Sequence, residues 1–486
     1  MEDIMKPLLG PVVGAVTQTN ARVWIFWDNK EKVTPTCRLY SDADCQNQIS
    51  SIPFQTVSDS PHSFADIEGV AGVAEVAFPP GNKVYGKVVL DEESEVFVIR
   101  PFPVPGEDVG SLSFALISCH HPSHPGQPDK TVSSMWSFMD EEMLKQDSRF
   151  LIQAGDQVYC DHKKFNAWKW SLKETSEESK RLWYYRQAYI NSWNYPEIQG
   201  VFRRHPQYMI WDDHEVTNGW GSERRHARSP FKDIFKVARQ AYEEFQHCHN
   251  PDALKTGELY YGFFYGPAAF LVLDLRGHRD ISLYDPDQAL PSSALMGEEQ
   301  WRYVETWLQG SQASKMLFVV TSVPVCHLSR KFGSLGIFKN DVNDQWSTKY
   351  NKEDRRRLLR LLYDWSGSDN KPVFILGGDV HVGTVATITD LNSGHNIYQI
   401  TSSPITNKPA YFLDLLMAKC SSRFQFNLNK TEGRPVEGKI IHRYRKRNFA
   451  IINADFNEAR VVLNMFEEGK QDAHRLQLYP QVKEQS

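Results

Sequence analysis

Four apolar runs in this sequence end in residue types that bind metals. Leu112–Ile117 runs into Ser118, Cys119, His120 and His121, and Phe150–Ala154 into Gly155, Asp156, Gln157, Val158 and Tyr159. Tyr208–Trp211 leads to Asp212, Asp213, His214 and Glu215, and Val373–Leu376 to Gly377, Gly378, Asp379, Val380 and His381. Singly these mean little: Asp after Gly is ordinary turn chemistry, and a lone His is more often a satisfied core or surface residue than a ligand. Together they form a pattern. Neighbouring parallel strands bring their carboxyl ends to one edge, where open α/β sheets bind ligands. Cys119, Asp156, Asp213 and Asp379 would there crowd several anions into a confined space, which is costly without cations. Carboxylate, imidazole, thiolate and phenolate donors together suit a multinuclear site, with a trivalent or transition ion beside harder divalent ions. Asp156 is the natural bridge. Tyr159, three residues on, binds as a phenolate if a strongly charged ion lowers its pKa. Such a site activates water and clamps a phosphoryl group between metals.

The elements that must position these residues are readable from hydrophobic period. Beyond residue 106, apolar strands alternate with amphipathic helices, the signature of a layered α/β arrangement. Helices are expected at Val132–Leu144, Lys173–Ile190, Phe231–Phe245, Glu298–Leu308 and Lys352–Trp365. Further strands are expected at Phe270–Asp274, Met316–Thr321, Asn396–Thr401, Ala450–Ala454 and Ala459–Met465. Trp183, Tyr184, Tyr185 and Tyr189 read as core packing rather than as a lid. Before residue 106 the pattern is short β-type segments, at Ala21–Trp27, Thr36–Tyr40, Gly72–Phe78, Val84–Leu90 and Glu95–Ile99, which suggests a β-sandwich. The proline-rich Pro101–Gly106 cannot pair as a central strand and serves as a linker. The expected division is a sandwich at 1–105, a catalytic domain at 106–470 and a polar, frayed tail at 471–486.

Composition narrows the function further. A net charge of −5 and a pI near 6.4 argue against a nucleic-acid partner. No apolar run approaches the roughly 18 residues of a membrane span. Met1–Gly10 has no basic segment before an apolar core, so no export signal is expected. The seven cysteines are scattered, odd in number and without a CxxC pair, which favours reduced thiols in a cytoplasmic protein. A GxxxxGK[ST] phosphate loop and a GxSxG nucleophile turn are both absent, which points to water or hydroxide as the attacking group.

The segments SCHH, GDQVYCD, WDDHE, LDLRGHR and GGDVH, in this order, resemble the PhoD-like (alkaline phosphatase D) family of the metallophosphoesterase superfamily. The likeness extends to Asp344-Gln345-Trp346, the arginine-rich Asp354–Leu359 and Thr401-Ser402-Ser403-Pro404. It implies metallophosphoesterase-type layered sheets with flanking helices behind an N-terminal β-sandwich. It also implies an iron site of Cys119, Asp156, Tyr159 and His381, with adjacent calcium ions using Asp156, Asp213 and Asp379. Asn218, three residues past Glu215, is a further candidate for that loop. His214 takes the role of general acid or transition-state stabiliser beside Asp213. The implied activity is hydrolysis of a phosphate ester by metal-bound hydroxide. Its nearest alternative is a phosphodiesterase with phospholipase D-type cleavage. An alternative of another class is a non-catalytic adaptor or lipid-binding protein that keeps the fold. Arg276 and Arg279 either fork onto the phosphate or pair with Asp274 or Asp280. His120 stands where the family often has an amide, a departure that bears on substrate contacts. The expectation of no export signal departs from the family's many secreted bacterial members. Cys160 and Asp161 read as a buried thiol and a loop carboxylate, His442–Arg447 as a solvated basic segment, and Phe412–Met417 as a helix over the core.

Overall fold

Strands rich in β-branched and aromatic residues, cut by turns, build the first hundred residues. In the computed structural model, residues 7–479 are described except 59–61, 65–66, 91–92, 280–294, 328–344, 347, 349, 410–422 and 429–432. The first nine strands are β1 (Leu9–Val16), β2 (Asn20–Asp28), β3 (Thr36–Tyr40), β4 (Gln48–Pro53), β5 (Gln55–Thr56), β6 (His62–Phe64), β7 (Ile67–Ala77), β8 (Val84–Val89) and β9 (Phe97–Ile99). They form two antiparallel sheets, β1-β2-β7-β5 with β6 on β7, and β4-β3-β8-β9. Val23 to Trp27 of β2 are buried on both faces. One face meets the rest of the chain: the Trp24 indole donates to the Glu244 carbonyl at 2.7 Å.

Two larger sheets follow. The first takes β10 (Ser111–Ile117), β11 (Leu151–Ala154) and β12 (Gln207–Ile210) in parallel. The second is built on β13 (Tyr261–Tyr265), β14 (Ala268–Leu273), β15 (Met316–Thr321), β16 (Val373–Gly377), β17 (Gly383–Asp390), β18 (Asn396–Thr401), β19 (Arg423–Asn427) and β20 (Pro435–Tyr444). Its order is β13-β14-β15-β16-β18-β17-β20-β19, with β14, β15, β16 and β18 parallel. The chain then returns to the first sheet, adding β21 (Asn448–Asp455), β22 (Arg460–Glu467) and β23 (His474–Leu478) in the order β12-β11-β10-β21-β22-β23. Phenylalanines cement the sheets face to face: Phe114 and Phe150 on one side meet Phe270 of the other edge-on at 5.4 Å, and Phe114 meets Phe318 edge-on at 5.1 Å. Offset and edge-on rings of this kind hold beyond their buried area.

The helices α1 (Lys130–Lys145), α2 (Ala167–Lys173), α3 (Glu178–Trp193), α4 (Pro196–Arg204), α5 (Phe231–Phe245), α6 (Gly297–Gly310) and α7 (Lys352–Ser366) flank the sheets. Among the described residues, no helix is long and apolar enough to cross a membrane. The helix expected over Lys173–Ile190 is α3, which starts five residues later, at Glu178, because Thr175 caps a turn by accepting from Glu177 N and Arg181 Nε binds the carbonyls of Ser171 and Thr175. Trp183, Tyr185 and Tyr189 are buried, as core packing requires. The stretch expected to fray holds β23, whose polar alternation suits an edge strand. The helix expected at 412–417 lies outside the described residues.

A fully buried ion pair joins three parts of the molecule. Arg186 of α3 binds Glu244 of α5 through two bonds of 2.7 and 2.8 Å, and its Nη1 donates to Gly69 O of β7 at 3.1 Å. Neither side chain is more than 1 % exposed. Arg186→Met would strand a buried carboxylate, so it is expected to lower stability by about 3–5 kcal/mol in urea unfolding. A loss under about 1 kcal/mol would show that the pair does not join these elements.

Candidate metal centre

Parallel register brings the expected ligands together. Ile117 pairs with Gln153 and Ala154 with Ile210, so the loops after β10, β11 and β12 leave one edge side by side. The first two are bonded directly, Cys119 N to Gly155 O at 3.2 Å and His120 N to Asp156 O at 2.8 Å. The loop after β16 arrives from the other sheet, with Gly378 N donating to Ser322 O at 2.9 Å. Its approach requires glycine: a Cβ on Gly378 would lie 2.4 Å from Ser118 Cβ and 2.5 Å from Ala154 O. Residues 401–407 clamp both sides, through Ser402 N to Gly377 O, Ile405 N to Ser118 O and Asn407 N to Cys119 O.

The result is a compact nest of donors. Tyr159 OH is 3.1 Å from both Asp156 Oδ2 and His381 Nε2, and Cys119 Sγ is 3.4 Å from Asp156 Oδ2. Among the described residues, donor atoms within 4.8 Å of one another form three groups: Cys119, Asp156 and His381; Asp156, Asp213 and His214; and Asp156, Asp212, Asp213 and Asp379. Asp156 belongs to all three. Cys119, Asp156, Asp379 and His381 each have a left-handed backbone, with φ of 56°, 58°, 65° and 52°. Non-glycine residues occupy that region at a cost of order 1–3 kcal/mol, and it concentrates at functional sites.

The electrostatics favour a cation. Burial, reinforced by Asp213, Asp212 and Glu215, holds the Asp156 carboxyl well above the usual carboxylate range, although His214 opposes the shift. Burial and then Asp156 push the Cys119 thiol and the Tyr159 phenol up in the same way. Burial drives His381 down to about 4, leaving a neutral imidazole. Asp213 Oδ1 is buried without a hydrogen-bond partner, with Arg276 Nη2 standing off at 3.6 Å. Anionic donors that cannot ionise together, a neutral imidazole and an orphaned carboxylate oxygen are what a bound metal satisfies.

Three supporting residues were not expected. Asp161, read as a loop carboxylate, accepts from His214 Nδ1 at 2.8 Å and from Asn218 N at 2.8 Å. Burial disfavours the His214 imidazolium, but Asp161, Asp213 and Asp156 outweigh it and hold the ring's pKa well above its ordinary value. Glu215, fully buried, accepts from the backbone N–H groups of Asp156, Gln157 and Asp212 and from Gln246 Nε2, locking two ligand loops to each other. Asn407 Nδ2 lies 3.2 Å from His381 Nε2. The spacing of Asp161, five past Asp156 on one loop, was the available signal.

The remaining expected residues fall unevenly. Asp213 and Asp379 sit in the cluster, bound by Gly219 N and by Gln345 Nε2 at 2.9 Å. Asn218 is exposed beside it. The Arg276 guanidinium is buried, engaging the Asp212 carboxylate and Trp220 O, while its backbone N–H rather than its side chain meets Asp274. Arg279 is buried with its stem across Gly221. His120 faces the interior, with Nε2 on Ser192 O and Nδ1 accepting from Trp136 Nε1 at 3.2 Å. The basic segment at 442–447 is not simply solvated: Arg447 binds the carbonyls of Thr406 and Asn407 and both oxygens of Glu468. Cys160 is buried, and the six cysteines among the described residues are free thiols.

Comparison with known proteins bears on this arrangement. The sequence pattern of the PhoD-like phosphatases matches residues 114–434. Alkaline phosphatase D of Bacillus subtilis is 25% identical over 333 residues, covering 65% of this chain and 52% of its own length. An uncharacterized protein of Saccharomyces cerevisiae is 22% identical over 354 residues, covering 55% and 49%. The chain thus spans about half the length of these curated relatives. The solved structure of PhoD superposes with a TM-score of 0.67 at 17% identity, over 98% of this chain and 93% of that one, and shows the same fold. The matched span contains every expected ligand, and on it the chain belongs to the PhoD-like phosphatase family.

Proposed function

We propose that this protein is a metal-dependent phosphoric ester hydrolase. The observation that carries the reading is the convergence of Cys119, Asp156, Tyr159, Asp213, Asp379 and His381 at one edge, with the Asp161–His214 pair beside them. Cys119, Asp156, Tyr159 and His381 would hold an iron ion, and Asp156, Asp213 and Asp379 calcium or another divalent ion, with Asp156 shared. Bound ions would supply the charge that activates water and neutralises the non-bridging phosphate oxygens. His214, its Nδ1 fixed on Asp161, presents Nε2 with a proton for the leaving alkoxide. Asp213 holds its place through Gly219 N, and Arg276 steadies the loop behind it through Asp212. Residues 106–470 carry this chemistry, with the sandwich at 1–105 as their support.

Elemental analysis of the purified protein with a panel of phosphate esters tests the reading. Iron and turnover are expected together, and the ratio of nitrophenyl phosphate to its bis-ester separates monoesterase from diesterase. Tyr159→Phe should erase a visible phenolate-to-iron band. Purified protein without iron would sink that assignment, and a metal-replete protein inert toward every ester would sink the hydrolase.

A further inference from the structure

Two segments that rim the metal centre on the His214 side carry charge opposite to that of the chain. Residues 162–173 hold Lys163, Lys164, Lys169 and Lys173 with no acidic residue, and 224–236 hold five basic residues against Asp233 alone, in a protein of net charge −5. The segments meet through Trp168, whose ring lies 5.7 Å from Phe231 and 6.0 Å from Trp220. Lys163, Lys164, Lys169 and Arg228 are exposed, while Phe165, Trp168, Trp170 and Phe231 are half-buried among them. This surface starts at the site itself. Outward from Tyr159, the rings of His121 and His162 follow at 4.5 and 4.4 Å, and Lys163 comes next in the chain. Asn166, at the start of α2, donates to the carbonyl of Asp161, the residue that holds His214.

We propose that this rim docks the protein on an anionic lipid surface, so that the metal centre acts on phosphate esters presented there. The choice of substrate rests on the hydrolase reading; the docking does not. Lysines with half-buried tryptophans are the composition of an interfacial surface, in which amphipathic rings sit at headgroup level and cations meet anionic lipid. Single-stranded nucleic acid also pairs cations with aromatics, but it needs rings free to stack on bases. Here Phe165 packs on Trp170 at 4.6 Å and Trp168 is shared between Trp220 and Phe231, so these rings are already engaged with one another.

Co-sedimentation of the full chain with vesicles tests this, using phosphatidylcholine alone and phosphatidylcholine mixed with phosphatidylserine. Binding is expected only to the mixed vesicles and should fall with added salt. Each lysine near such a surface contributes roughly fivefold, so Lys163→Gln, Lys164→Gln and Lys169→Gln together should weaken binding about a hundredfold. Lys163→Glu, Lys164→Glu and Lys169→Glu together should abolish it. Turnover of soluble nitrophenyl phosphate by both variants should stay at the parental rate. Equal binding to neutral vesicles, none to the mixed ones, or undiminished binding by the variants would overturn the docking. So would retention of a single-stranded oligonucleotide without vesicle binding. Vesicle binding without turnover of any ester would overturn the hydrolase reading and leave the docking standing.

Discussion

Asp156→Asn is expected to empty the centre of metal and to cut kcat by at least about a thousandfold. Among the described residues Asp156 is the one common to all three donor groups, so its loss would weaken every ion held there at once. Several kcal/mol of charge stabilisation go with them, at a factor of ten per about 1.4 kcal/mol. The amide keeps the shape of the carboxylate, and His214 N still has an oxygen to donate to, so the fold should survive. Elemental analysis and turnover, measured on one preparation, decide the matter: normal metal content with normal activity would remove Asp156 from the bridging role. A second signature appears in protein stripped with a chelator. There the Asp156 carboxyl, raised by burial, keeps a proton that the unfolded chain has given up. A group whose folded pKa is raised loses its stabilising contribution as pH rises through and beyond the unfolded value. Stripped wild type should therefore weaken as pH climbs out of the acid range, and the Asn variant should lack that part of the slope.

Asp161→Asn should separate substrates by their leaving groups. The carboxylate fixes the His214 tautomer and stabilises its imidazolium at 2.8 Å. General acid catalysis contributes typically 10²–10⁴-fold, so an alkyl phosphate should slow by about that much. A nitrophenolate leaves without needing a proton, so nitrophenyl phosphate should slow far less. Burial already opposes protonation of His214, and without Asp161 it is opposed less effectively, so the alkaline limb of kcat should move to lower pH. Equal losses on alkyl and aryl esters, with an unmoved limb, would make Asp161 a structural residue only.

Much of this was legible because strand and ligand coincide. An apolar run followed by Gly-Asp, Asp-Asp-His or Ser-Cys-His says both that a strand ends and that chemistry follows, and β10, β11, β12 and β16 each carry one of these marks. Asp161 and Glu215 were harder to read. Their partners lie on another loop, such as His214 for Asp161 and the Asp156 and Gln157 amides for Glu215, so they acquire a role only once β11 and β12 pair. Arg276 was open between phosphate and carboxylate in sequence; burial beside Asp212 gives its guanidinium to the loop. Strands β17, β20 and β23 are hidden in the sequence for another reason: threonines in β17 and exposed polar residues in β20 and β23 break the apolar pattern, and pairing of β17 with β18 and β20 and of β23 with β22 makes them strands.

The placement of β21 has a consequence for how the protein is made. Ser111 to Leu116 of β10 lie between β11 and β21, pairing with Asp455 to Ala450. As the chain leaves the ribosome, β10 and β11 can zip together early, but the other edge of β10 stays bare while the whole second sheet is synthesised. An unpaired apolar edge of that kind invites association with other chains. The strand that leads to Cys119 thus keeps one edge open in the nascent chain until β21 has emerged to cover it.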